Sequence, residues 1–272
     1  MNGESIELAG QQDFAEAGGV FPLIYASADA PDLDASLTWL TENRERLLSE
    51  LATHGALLLR GFRVESDGDF DQLIQRFELP NFTYADSLSN AVRRNRTERV
   101  FTANEAPPEV SIYLHHEMAQ TPVFPSKLFF FCEQAQMSGG ATPLCRSDIL
   151  LSRLASSRPE FVAACEERGV RYFNSMPATD DPSSGQGRSW RSTLSVTTAA
   201  EAEAKLTALN YSWEWQAQEV LRVTTPALPA VRELADGRKV FFNQLIAAFR
   251  GWKDARNEAG QSTPFGDGAC LD

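Results

Sequence analysis

Histidine is scarce in this chain, with three among 272 residues, and so is cysteine, with four. Cys132, Cys145, Cys165 and Cys270 form no C-x-x-C pair, so neither a disulfide framework nor a thiolate zinc site is expected. Basic residues are outnumbered, 25 against 37 acidic ones, and the formal charge of −12 repels phosphate backbones and anionic lipid surfaces. No nucleic-acid partner and no membrane association are expected. No apolar run is long enough to span a bilayer, the start lacks signal-peptide character, and no G-x-S-x-G elbow supports a serine hydrolase. These deficits predict a soluble, reduced, cytoplasmic protein. The length suits a single domain with a sizeable core, and no internal repeat or interdomain linker interrupts it.

What is present reads as alternating helices and strands. A short strand is expected over 20–25. A helix follows, capped by Asp34, with Leu37, Leu40, Leu47, Leu48 and Leu51 on one face and Gly55 as its stop. A buried strand over 56–59 precedes a second helix from Asp67, in which Phe70, Leu73, Ile74 and Phe77 keep helical spacing. Residues 80–111, with "RRNRTER" at 93–99, lack periodicity and read as a long loop or flap. "KLFFFCEQA" (127–135) is β-prone, and "SGGATP" (138–143) is turn chemistry leading to Ser147 as the cap of a helix. "PEFVAACEERGV" continues helically, 180–190 reads as a Gly/Ser loop, and "SWEWQ" and "VLRVTT" read as strands. Asp236-Gly237 reads as the turn of a hairpin between 231–234 and 239–242.

Two of the three histidines stand together in "YLHHEMAQ" (113–120), directly before a glutamate. Two imidazoles and one carboxylate on one face hold a divalent ion with open positions, as in the facial triad of non-haem Fe(II) oxygenases. In an extended strand residues i and i+2 point to one side, so His115 and Glu117 converge while His116 points away. A His-x-Glu pair also occurs as a hydrogen-bonded surface pair. His54, at a helix end, reads as a structural histidine satisfying the terminal carbonyls of that helix.

Beyond this spacing, the sequence resembles the TauD/TfdA-like, clavaminate-synthase-like Fe(II)/2-oxoglutarate-dependent oxygenases. The resemblance runs through "HGALLLRGF" (54–62), "VFTANEAPP" (100–108), "HHEMAQTPVFPSKLFFFCE" (115–133), "GGATP" (139–143), "DDPSS" (180–184), "GRSWRST" (187–193) and "FGDG" (265–268). It implies an α+β, mainly β fold: a double-stranded β-helix (jelly roll) with flanking helices, as one oxygenase domain over 1–272. It further implies His115 and Glu117 as iron ligands and Thr142 as the residue whose hydroxyl binds a carboxylate of 2-oxoglutarate. Fe(II) would be the metal, with 2-oxoglutarate and O₂ as co-substrates. Related halogenases have a small residue in place of the carboxylate, so Glu117 implies hydroxylation or another oxidation. Lys127 is a candidate partner for an anionic ligand, with a solvated lysine as the alternative. Asn104, Trp190 and Arg191 are candidate substrate-cavity residues.

The family's third ligand is a histidine beyond the "GDG" segment, followed by an arginine for the co-substrate. No histidine follows His116 here, so the chain is expected to be C-terminally incomplete, lacking that ligand and the last strands. Two other readings stand beside the dioxygenase: a metal-free β-helix binding module, and a metallohydrolase using His115, His116 and Glu117.

Overall fold

The computed structural model describes residues 2–83, 87–89, 91, 93–103, 112–181 and 187–248. They form two compact units, one comprising Met1–Asn81, Arg96–Val100 and Leu128–Gly140, the other Phe82–Asn95, Phe101–Lys127 and Ala141–Asp272. The architecture is mixed α/β with several small sheets, none of them closed among the described residues. No described helix is long and apolar enough to cross a membrane.

In the first unit, β1 (Glu4–Ile6), β4 (Leu23–Ala26) and β5 (Leu57–Arg60) form one sheet. β1 runs antiparallel to β4 and β5 parallel to it. A parallel pair needs a crossover, and α1 (Leu33–His54) supplies it. The expected single strand over 20–25 is instead two, because Pro22 has no N–H to give a ladder. β3 (Gly19–Phe21) pairs with β2 (Gln12–Phe14), and β4 begins after the proline. The N-cap of α1 is Asp32 rather than Asp34: Asp32 has the extended backbone a cap needs, and its carboxylate accepts from Ala35 N at 2.9 Å. Asp34 lies inside the first turn. Gly55 ends the helix in the left-handed region (φ 84°), its N–H donating to Leu51 O. His54 closes the last turn in a structural role, but its partner is not a terminal carbonyl of its own helix: Nδ1 lies 2.8 Å from Val20 O of β3.

Leu37, Leu40 and Leu47 of α1 pack with Leu23, Tyr25 and Trp39, and with Phe70 and Leu73 of α2 (Asp67–Gln75). The run at 127–135 keeps strand-like alternation but is no strand. Phe129 and Phe131 lie against Phe77 and Phe70, at ring distances of 5.1 and 5.4 Å, while Leu128 and Phe130 face out. β propensity built the alternation, and no sheet neighbour pairs its backbone among the described residues.

In the second unit, β6 (Phe173–Met176), β8 (Leu221–Thr224) and β7 (Ser212–Trp215) form an antiparallel sheet, with β8 central. Met176, Leu221 and Val223 meet Trp190 and Leu194 of α5 (Trp190–Leu194) and Ala202 and Leu206 of α6 (Ala199–Ala208) in one core cluster. Helices α3 (Ser147–Ser157) and α4 (Pro159–Arg168) precede this sheet, and the hairpin of β9 (Val231–Glu233) and β10 (Lys239–Phe241) follows it, as its Asp-Gly turn predicts. Ser147 does not cap α3; it is the first helical residue, and its hydroxyl is engaged by His116.

Leu40 is 1 % exposed and Leu128 is 49 % exposed. Leu40→Ala is expected to lower the unfolding free energy by about 2–5 kcal/mol through lost burial and the cavity left behind, and Leu128→Ala by less than about 1 kcal/mol. Chemical denaturation measures both, and similar losses would contradict the core described here.

Candidate metal centre

The segment 112–116 has no regular structure, and a tight turn over 117–120 follows it. This corrects the strand expected at His115. The backbone reverses because Met118 takes a left-handed conformation (φ 60°), held by Ala119 N donating to His116 O and Thr121 N donating to Met118 O. Met118, Ala119 and Thr121 are all buried, so the turn is anchored by packing. A second anchor is Gln244, which follows β10: its Nε2 donates to His116 O at 2.6 Å, and its own N–H donates to Tyr172 Oη at 2.9 Å. Burial pushes the Tyr172 hydroxyl up to about 12, so it stays a neutral acceptor.

The convergence expected from the i, i+2 spacing is nevertheless present. His115 Nε2 stands 3.8 Å from Glu117 Oε2, with side-chain exposures of 27 and 20 %. His115 Nδ1 is 2.7 Å from Tyr113 O, a contact in which Nδ1 carries a proton, leaving Nε2 to face Glu117. First-row divalent ions hold such donors at about 2.0–2.2 Å, which puts two neighbouring ligands of a facial set about 3.0 Å apart. At 3.8 Å the pair closes on one ion with a side-chain shift of under about 1 Å. The Glu117 carboxylate raises the His115 pKa above its ordinary value, against desolvation. Burial pushes the Glu117 carboxyl up, but His115 and the charge of Arg93 outweigh it and hold the group below its ordinary value.

His116 behaves differently. Its Nε2 lies 3.0 Å from Ser147 Oγ, its ring lies 4.8 Å from that of Phe242, and the Asn243 backbone also hydrogen-bonds it. Burial lowers its pKa, so the ring is neutral scaffolding. Among the described residues, no third His, Cys, Asp or Glu joins His115 and Glu117. The residues present fit two positions of a divalent ion.

The family profile described as taurine catabolism dioxygenase TauD, TfdA family, matches residues 20–258. The chain belongs to the TauD/TfdA family. A clavaminate synthase-like protein of Arabidopsis thaliana is 38 % identical over 258 residues, 92 % of this chain and 78 % of that protein. The dapdiamide synthesis protein DdaC of Enterobacter agglomerans is 28 % identical over 195 residues, 72 % of this chain and 56 % of that protein. TauD/TfdA membership makes this broadly a non-haem iron, 2-oxoglutarate-type oxygenase.

The other positions singled out in this TauD/TfdA-family sequence fall as follows. Thr142 lies exposed in the connection that leads to α3, and Lys127 is exposed. Asn104 is outside the described residues. Trp190, 1 % exposed, is a core residue: its ring meets that of Trp215 edge-on at 5.2 Å, and its Nε1 donates to Glu219 O. Arg191 covers the Trp190 ring at 4.0 Å and binds Ala178 O and Glu219. One residue escaped the sequence reading. Arg93 NH2 reaches Glu117 Oε1 at 3.1 Å, and the only signal for it was the arginine-rich run at 93–99, in which nothing singles out one arginine.

His116→Ala is expected to destabilise the fold by about 1–3 kcal/mol through the lost Ser147 bond and ring packing. Affinity for Co(II), used as a spectroscopic probe ion, should stay within about threefold of the parent, since the ring makes no ligand, well short of the loss of about tenfold or more that follows when a partner of a metal ligand is removed. A loss as large as that of His115→Ala, measured by calorimetric titration, would instead make His116 a ligand.

Proposed function

We propose that this chain is an Fe(II)- and 2-oxoglutarate-dependent dioxygenase that oxidises, by hydroxylation, a small polar substrate such as an amino acid or an intermediate of specialised metabolism. The observation that carries the proposal is the His115 Nε2 and Glu117 Oε2 pair, 3.8 Å apart, with the imidazole tautomer set by Tyr113 O. The names of the two relatives, one clavaminate synthase-like and one a dapdiamide synthesis protein, support a small specialised-metabolite substrate. Family membership supports a double-stranded β-helix as the complete fold.

When bound, Fe(II) supplies the redox chemistry in which 2-oxoglutarate loses CO₂ to become succinate, one oxygen atom of O₂ enters the succinate and the other enters a substrate C–H bond. The protein's own work is positional. His115 and Glu117 present one nitrogen and one oxygen donor from a rigid turn. Thr142 offers a hydroxyl to a co-substrate carboxylate, and Lys127 offers a charge to the same anion. Asn104 and Arg191 are proposed to face the substrate; Trp190 supports Arg191 from the core.

The metallohydrolase reading loses ground to the Ser147 bond that occupies His116 Nε2. A metal-free binding module is the second reading, favoured by the lack of a third donor among the described residues. One pair of measurements separates them. His115→Ala and Glu117→Ala should each weaken Co(II) binding by at least about tenfold and remove Fe(II)-dependent succinate release from 2-oxoglutarate. Co(II) binding unchanged in both variants would leave the binding module.

A further inference from the structure

We infer that Arg93 is a positioning residue that restricts Glu117 to ligation through a single oxygen, keeping one more coordination position open for an exogenous ligand. The inference rests on the metal-site reading above and concerns what this chain's own carboxylate can do there.

A carboxylate has two oxygens and can close on an ion with both. In this site the two are already divided. Oε1 faces Arg93 NH2 at 3.1 Å and Oε2 faces His115 Nε2 at 3.8 Å. To bind through both oxygens, Glu117 would have to turn Oε1 away from the guanidinium. The Arg93 side chain is 14 % exposed and that of Glu117 20 %, so water would replace the lost interaction poorly. A charge-assisted hydrogen bond in such surroundings is among the stronger polar contacts available to the carboxylate.

Arg93 is itself held. Its guanidinium lies over the Phe101 ring at 5.5 Å. The next residue is pinned by two hydrogen bonds, Arg94 N donating to Thr102 Oγ1 at 3.0 Å and Thr102 N donating to Arg94 O at 2.9 Å. Asn95 and Phe101 bridge one step further along. The backbone that carries Arg93 is therefore paired rather than loose. Arginine suits the role better than lysine, because its planar, rigid fork and aromatic stacking fix the direction of the donor.

The arrangement gives a signature that simple scaffolding does not. Removing the arginine frees Oε1 and removes a competing positive charge, so the ion is held more tightly. The same freed oxygen takes a position that an added ligand needs. Metal affinity and exogenous-ligand affinity should therefore move in opposite directions.

The test uses the full chain loaded with Co(II), calorimetry for Co(II) affinity, and azide titration followed by the visible spectrum of the bound ion. For Arg93→Met we expect Co(II) binding to tighten by about threefold or more and azide binding to weaken by about tenfold, the scale on which a group hydrogen-bonded to a metal ligand tunes its site. Arg93→Lys should recover part of the azide affinity. Circular dichroism checks folding, and Arg93→Gln carries the same comparison should the Met variant not fold. A fall in Co(II) affinity in the folded variant would make Arg93 part of the scaffold only and overturn the inference. Unchanged azide affinity would overturn it equally. Failure of the underlying site reading is distinguishable, because His115→Ala would then leave Co(II) affinity unchanged whatever Arg93 does.

Discussion

A carboxylate shared between an imidazole and a guanidinium is the interaction around which the site is organised. Glu117 is mostly withdrawn from water, and burial alone would push its pKa up and favour the neutral acid. A neutral carboxyl would be a poor ligand. His115 on one oxygen and Arg93 on the other reverse that tendency and keep the group ionised. The cost of burying the charge is met by partners that also fix its direction. With one oxygen on each partner, the direction of the carboxylate is settled along with its charge.

Such a division of oxygens requires that the backbone not drift, and the second unit supplies the restraint. The turn after Glu117 is folded over buried Met118 and Ala119. From 128 residues further along the sequence, Gln244 reaches His116 O while Tyr172 holds the Gln244 N–H. Tyr172 and Ala230 belong to one core cluster, and Asn243 beside Gln244 donates to Ala230 O. The site segment is therefore tied to the core by hydrogen bonds between side chains and backbone rather than by its own secondary structure. A short irregular segment can be rigid when its carbonyls are claimed in this way.

Different parts of this structure were legible in the sequence for different physical reasons. Helices α1 and α2 follow from local spacing of Leu and Phe, and the β9–β10 hairpin from Asp236-Gly237, because capping and turn chemistry act within a few residues. The cap moved from Asp34 to Asp32 since both carboxylates are suitable and only backbone conformation chooses. The run 127–135 misled because strand propensity reports side-chain fit, whereas a strand also needs a hydrogen-bonded neighbour, which no local pattern encodes. His115 and Glu117 were readable as a pair even though the strand that suggested them is absent, since the turn brings their side chains together as well. Arg93 was not readable. Its partner lies 24 residues away, and several arginines around it have equal claim in the sequence.

The two adjacent histidines show how little of a side chain's role resides in its type. They are neighbours on one backbone, yet their pKa values move in opposite directions. His115 gains a carboxylate 3.8 Å away and rises; His116 gains burial and falls. The first has one nitrogen occupied by a carbonyl and the other turned toward an anion, so a cation entering between them would take the place of the Nε2 proton. The second spends Nε2 on Ser147 and packs at a tilt against Phe242, which leaves it nothing to offer an ion. Partner geometry, set by a turn and a helix start, thus assigns one imidazole to chemistry and its neighbour to the wall that holds it.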